Sequence, residues 1–203
     1  TFVGAEVYLP GETAETTVTI DGGTIVEIGG TVQGAEVDAR GKVLAPALID
    51  VHGDAFERQV MPRPGVFFPM ETAVLETDRQ LAANGIATTF HSITLGYEPG
   101  LRSVERVRAM MQAIRDLTPR LTVENRVQLR WETFAFEALD TLDWAMNAPL
   151  RPSLAFNDHL SMAMRSKCTA IQERAFEHSP AFAVMDTDDA DLFAQRYRNY
   201  REG

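Results

Sequence analysis

The sequence predicts an α/β protein in which a small β-unit precedes a parallel sheet flanked by helices. Residues 1–42 alternate apolar and polar side chains between Gly-rich turns, which is typical of short strands. Residues 43–51 form a nearly continuous apolar run, which is typical of a strand buried on both faces. From residue 71 onward, helical and strand patterns take turns, which indicates βαβ units. We therefore expect a β-sandwich unit over 1–42 and a region of strands and helices over 43–203.

The strands of the β-unit are predicted from apolar alternation over 2–9, 16–20 and 25–28, with a further position at Val37. Asp21-Gly22 stands between two of these runs. Because an Asp-Gly pair readily adopts the backbone of a tight hairpin turn, it predicts antiparallel pairing of its neighbours.

Four further strands are predicted to end near residues 52, 93, 133 and 158. Helical spacing separates and follows them over about 71–83, 101–117, 137–147, 162–177 and 189–200. Gly85 suits the end of the first helix, since glycine adopts the C-terminal cap conformation without strain. Residues 54–70 form a long Pro-rich loop after the first of these strands. Parallel α/β proteins build their sites on loops at this end of the strands.

Composition narrows the function classes. The chain has 203 residues, 45% of them hydrophobic, and a net charge of −10, which argues against nucleic-acid binding while leaving small anionic substrates open through local arginines. Its apolar runs are far shorter than the roughly 20 residues of a membrane-spanning helix, which predicts a cytoplasmic protein without a membrane partner. A single cysteine, Cys168, excludes an intramolecular disulfide and a zinc site of several thiolates. The sequence leaves open whether the chain forms a homo-oligomer.

Two histidines and two carboxylates stand at predicted strand ends. His52 and Asp54 have the period-two spacing that points both side chains to one side, and Glu132 and His159 follow later strands. Imidazole and carboxylate groups at one edge suit a divalent metal with open positions for water. The alternatives are a strand-end hydrogen bond for His52, a surface salt bridge with Arg130 for Glu132, and a helix start for His159.

The segment LAPALIDVHGD at 44–54 resembles the first barrel strand of the amidohydrolase superfamily. The segments HGDAFERQVMPRPGV at 52–66 and AANGIATT at 82–89 resemble its PhnM-like branch, the α-D-ribose 1-methylphosphonate 5-triphosphate diphosphatases of the carbon-phosphorus lyase pathway. The resemblance covers roughly residues 1–160. It implies the N-terminal part of a (β/α)8 TIM barrel.

The resemblance also implies a metal centre. His52 and Asp54 match ligands of the more buried metal, Glu132 matches a carboxylate that bridges two metals, and His159 matches the next histidine. One or two divalent ions, zinc first and manganese, iron or nickel as alternatives, would hold a hydroxide that attacks the substrate. The products would be the 5-phosphate and pyrophosphate.

Three further residues are candidates for holding the substrate. Arg58 and Arg63 lie in the loop over the implied metals and suit a polyphosphate, although anchoring of the loop is the competing interpretation. His91 is predicted to end the second strand and to face the same mouth, where it holds substrate, orients a ligand or makes an ordinary hydrogen bond.

Length limits the barrel interpretation, because a complete barrel typically needs about 250 residues. The expected sixth-strand histidine and eighth-strand catalytic aspartate have no match, so the catalytic residue is unknown. We expect this chain to be the N-terminal portion of a longer enzyme and inactive by itself. The alternatives are another amidohydrolase acting on a carbon-nitrogen bond of a cyclic amide or N-acyl substrate, and a non-catalytic half-barrel fragment.

Overall fold

A computed structural model describes residues 1–63, 65–96 and 100–158. The chain divides into two compact units between Ala47 and Leu48. This boundary falls five residues later than predicted. The helices predicted over 162–177 and 189–200 lie outside the described residues, as does His159. Among the described helices, none has the length and apolar character needed to cross a membrane.

The first unit is a single five-stranded sheet, where the sequence led us to expect a β-sandwich. Its strands are β1 (Phe2–Leu9), β2 (Glu12–Asp21), β3 (Thr24–Ile28), β4 (Val37–Asp38) and β5 (Val43–Leu44). β1 pairs antiparallel with β2 and parallel with both β4 and β5, and β2 pairs antiparallel with β3. Gly22 and Gly23 have positive φ values in the turn between β2 and β3, so the predicted hairpin is confirmed.

The apolar run at 43–51 is divided between the two units. β5 pairs with β1 of the first sheet, whereas β6 (Leu48–Gly53) opens the second sheet. Pro46 lies between them and has no backbone N–H to donate to a neighbouring strand, which favours an interruption at this point. Prediction of one continuous strand over 43–51 was therefore wrong.

The second unit is an α/β arrangement around a parallel sheet, as predicted. Its sheet order is β6-β7-β8-β9, where β7 is Ile86–Leu95, β8 is Glu124–Glu132 and β9 is Ser153–Asn157, and all three pairings are parallel. The helices are α1 (Glu57–Val60), α2 (Met70–Ala83), α3 (Val104–Leu117) and α4 (Leu139–Met146). Short 3-10 turns span Gly100–Arg102, Thr118–Arg120 and Phe136–Ala138.

The helices cover one face of this sheet. Ile93 and Leu95 of β7, with Val127 and Leu129 of β8, are buried in one cluster with apolar residues of α2 and α3. β6 differs, because Leu48, Ile49 and Val51 are 62–65% exposed. Burial of this strand on both faces, which its apolar run predicted, is therefore not observed.

A buried network of hydrogen bonds connects α2 with the start of β8 and with β7. The Asp78 carboxylate of α2 accepts the backbone N–H groups of Thr122 and Val123, both at 2.9 Å. It also accepts Nδ2 of Asn125 at 2.9 Å, and Asn125 Oδ1 lies 2.6 Å from His91 Nε2. Because an amide oxygen only accepts, His91 Nε2 carries the proton. These hydrogen bonds offset the free-energy cost of burying the three polar side chains.

Burial lowers the pKa of His91 below 6.5, although the hydrogen bond to Asn125 opposes the shift. Well above pH 6.5 the imidazole is neutral in both the folded and the unfolded chain. As pH falls below that value, the unfolded chain takes up a proton that the folded one resists, so the free energy of unfolding decreases by up to about 1.4 kcal/mol per pH unit.

Urea unfolding between pH 7.5 and 5 measures this acid dependence. His91→Gln should flatten it, because glutamine does not titrate between these pH values. An equal acid slope in the parent and His91→Gln chains would show that His91 does not resist protonation.

Candidate metal and substrate site

The strands of the second sheet carry a row of polar side chains on the face opposite the helices. We call this the polar face, defined by Ser92 and Thr94 of β7, Gln128, Arg130 and Glu132 of β8, and Asn157 of β9. The register pairs Ser92 with Gln128, Thr94 with Arg130 and Glu132 with Asn157. Because side chains alternate along a strand, paired residues point to the same face. The polar face therefore continues across three strands to the carboxyl edge, where the strands end.

His52 joins the polar face through Gln128. Its Nδ1 lies 2.7 Å from Gln128 Oε1, which also accepts the Ser92 hydroxyl at 3.2 Å. An amide oxygen accepts and does not donate, so Nδ1 of a neutral His52 carries the proton. The other ring nitrogen, Nε2, then keeps its lone pair, which is the form that binds a metal.

Asp54 reaches the same face through Arg130. Arg130 Nη1 lies 3.5 Å from Asp54 Oδ1, and the side chains are 14% and 50% exposed respectively. Asp54 lies one residue beyond the end of β6, and both it and His52 contact residues of β8. Asp54 is half-open to solvent and can exchange this ion pair for another positive partner.

Glu132 is fully buried at the end of β8, which excludes the alternative of a surface salt bridge. The end of β7 approaches it closely: a Cβ atom at Gly96 would lie 3.1 Å from Glu132 Cγ. A larger residue at Gly96 would press on this carboxylate. The glycine therefore keeps room for Glu132 at the carboxyl edge.

These donors fit a divalent cation by their chemistry. The imidazole of His52 and the carboxylates of Asp54 and Glu132 lie near the carboxyl edge of the sheet. These groups are ligand types that zinc and similar metals prefer. Within residues 1–63, 65–96 and 100–158, no three His, Cys, Asp or Glu side chains already converge as a ligand set. His159, the fourth predicted ligand, lies outside these ranges.

His91 is not part of this group. It lies in the middle of β7, is 1% exposed and contacts Asn125 and the ring of Phe56, on the face that the helices cover. The expectation that it ends the strand and faces the mouth is therefore wrong. Strand β7 ends at Leu95, two residues beyond the predicted end near residue 93. His91 lies on the same face as Ile93 and Leu95, which pack against the helices.

Arg58 and Arg63 are exposed in the loop that follows β6. Arg58 belongs to α1, and Arg63 forms an isolated bridge with Val66. A nearby ion pair anchors α1: Arg102 donates to both carboxylate oxygens of Glu57, at 3.0 and 3.3 Å. Anchoring of this loop thus involves Arg102, which the sequence interpretation did not single out.

Gln128 and Arg130 were also missed at the sequence level. Residues 126–132 alternate Arg, Gln, Arg and Glu with Val, Leu and Trp. That period-two pattern indicates a strand with one polar face, and it would have predicted both residues.

The chain is similar to a curated diphosphatase over part of its length. The chain is 31% identical over 99 residues to α-D-ribose 1-methylphosphonate 5-triphosphate diphosphatase of Escherichia coli strain K12. The match covers 47% of this chain and 26% of that protein, so the chain spans about a quarter of its relative. No family model matches.

Among solved structures, the chain is similar to D-hydantoinase from Bacillus sp. AR9. The two share 22% sequence identity with a TM-score of 0.46. The alignment covers 75% of this chain and 32% of the hydantoinase chain.

The contact between His52 and Gln128 predicts the tautomer of His52. Long-range 1H–15N NMR spectra of the neutral imidazole should show a proton on Nδ1. Gln128→Met removes the acceptor and should move His52 toward the Nε2–H tautomer, whereas Gln128→Glu keeps an acceptor and should preserve Nδ1–H.

Gln112→Met is the matched control, because Gln112 lies on α3 and contacts Asp116. It should leave the His52 signals unchanged. A proton on Nε2 in the unsubstituted chain would contradict the assignment.

Proposed function

We propose that this chain forms part of a metal-dependent hydrolase of the amidohydrolase superfamily. Its substrate is α-D-ribose 1-methylphosphonate 5-triphosphate, which it hydrolyses to the 5-phosphate and pyrophosphate. The observation that carries the proposal is that His52, Asp54 and Glu132 all lie near the carboxyl edge of one parallel sheet. The 31% identity to the diphosphatase supports the choice of substrate.

His52, Asp54 and Glu132 would hold the metal, with His159 as a further ligand. When bound, a divalent metal supplies positive charge that polarises a phosphoryl oxygen and lowers the pKa of a water. Zinc is the first choice, and manganese, iron and nickel suit the same donors, as one ion or two.

The chain's own residues prepare this site. Gln128 accepts a hydrogen bond from His52 Nδ1 and another from the Ser92 hydroxyl, which leaves His52 Nε2 for the metal. Glu132 brings a carboxylate to a fully buried position, where weak screening strengthens its attraction for a cation. Arg58 and Arg63 offer exposed guanidinium groups that suit the substrate's triphosphate through bidentate hydrogen bonds.

Metal content and pyrophosphate release test the proposal on protein expressed from its whole reading frame. Asp54→Asn and Glu132→Gln should each lower bound zinc and reduce pyrophosphate release by about 100-fold or more, because each removes a charged ligand. Asp140→Asn makes the same chemical change at an exposed position of α4 and should alter neither quantity.

Two results would contradict the proposed function. Stoichiometric metal with hydrolysis of lactams or N-acyl compounds, and without pyrophosphate release, would assign the site to carbon-nitrogen bonds. Folded protein that binds no divalent metal would favour a non-catalytic scaffold.

A further inference from the structure

Three buried donor atoms on the polar face have no hydrogen-bond partner within the described part of the chain. They are Oγ1 of Thr94, Nε of Arg130 and Nδ2 of Asn157. Thr94 is 1% exposed and the Arg130 side chain 14% exposed. Buried polar groups in native proteins are nearly always satisfied, so such atoms indicate a place for water or a ligand.

These donors come from three successive strands at the same edge. Thr94 pairs directly with Arg130, and Asn157 lies two residues beyond the partner of Arg130 on β9. Neighbouring strands are about 4.8 Å apart, so Arg130, on the middle strand, is a neighbour of both other side chains. Thr89 Oγ1 also has no hydrogen-bond partner among the described residues, but it shares the face of His91 and lies away from this edge.

The chemistry of the three atoms favours an anion. A hydroxyl, a guanidinium N–H and an amide N–H all donate, and Arg130 adds a positive charge. Its Nη1 pairs with Asp54 at the long distance of 3.5 Å, which leaves Nε for another acceptor. Donors from three strands suit an acceptor with several oxygens in a tetrahedral arrangement.

We propose that Thr94, Arg130 and Asn157 form an oxyanion subsite that holds a phosphate group. The subsite deepens the proposed function and rests on it for identifying that group as part of the substrate. Binding of free phosphate depends on the three residues alone. Since Asp54 and Glu132 add negative charge nearby, a divalent cation should tighten phosphate binding.

Calorimetric titration with inorganic phosphate, with and without zinc, tests the subsite. Arg130→Gln should weaken phosphate binding by at least about tenfold, because it removes a charge-assisted hydrogen bond. Arg130→Lys keeps the charge but loses Nε and should retain part of the affinity. Arg126→Gln makes the same change near the other end of β8, where Arg126 pairs with Glu124, and should leave phosphate binding unchanged.

Thr94→Val separates ligand binding from folding. Because the Thr94 hydroxyl has no partner in the described fold, its removal should leave the urea midpoint of the phosphate-free protein unchanged or raised. The same variant should bind phosphate more weakly. A hydroxyl with a purely structural hydrogen bond would instead lower the midpoint.

Equal phosphate affinity in Arg130→Gln and Arg126→Gln would overturn the subsite, as would a lowered midpoint in Thr94→Val. Acetate binding as tightly as phosphate would overturn the phosphate class. Zinc titration of the same samples separates the two proposals. Zinc binding with no effect of Arg130→Gln refutes the subsite alone, whereas an Arg130-dependent phosphate site without zinc binding refutes the metal-dependent function alone.

Discussion

The architecture of the second unit depends on the alternation of side chains along β8. This strand lies inside the parallel sheet, so Val127 and Leu129 pack against the helices while Gln128, Arg130 and Glu132 point the other way. Burying a Val or Leu side chain contributes roughly 1.5–3 kcal/mol. A register shift of one residue would expose these apolar groups and bury charges among the helices, so packing on one face determines the chemistry of the other.

Asp78 reinforces that register from the helical side. Its carboxylate binds two backbone N–H groups just before β8 and the side chain of Asn125 within it. These hydrogen bonds therefore fix the position of the start of β8 relative to α2. Gln128 then lies where it meets His52, and Arg130 where it meets Asp54, so a buried carboxylate far from the carboxyl edge helps to position the candidate ligands.

Local sequence signals predict much of this fold. The helix ending at Ala83 and strand β9 match the structure because a Gly turn and a compact apolar run determine them locally. The prediction of one strand over 43–51 was wrong because apolar residues alone do not tell which sheet a strand joins. The interpretation of His91 was wrong because residue type alone does not tell which face of a strand a side chain occupies. Its burial depends on Asn125 and Asp78, which are distant in sequence. His52, Asp54 and Glu132 were identified from residue type and strand position, while the roles of Gln128 and Arg130 required the register between strands.

Anomalous diffraction at the zinc edge, from crystals of the zinc-soaked protein, would locate a metal bound at the carboxyl edge of the sheet. We expect a peak about 2.0–2.2 Å from His52 Nε2 and from a carboxylate oxygen of Asp54 or Glu132. Zinc bound only at other residues, with Asp54 still paired with Arg130, would contradict it.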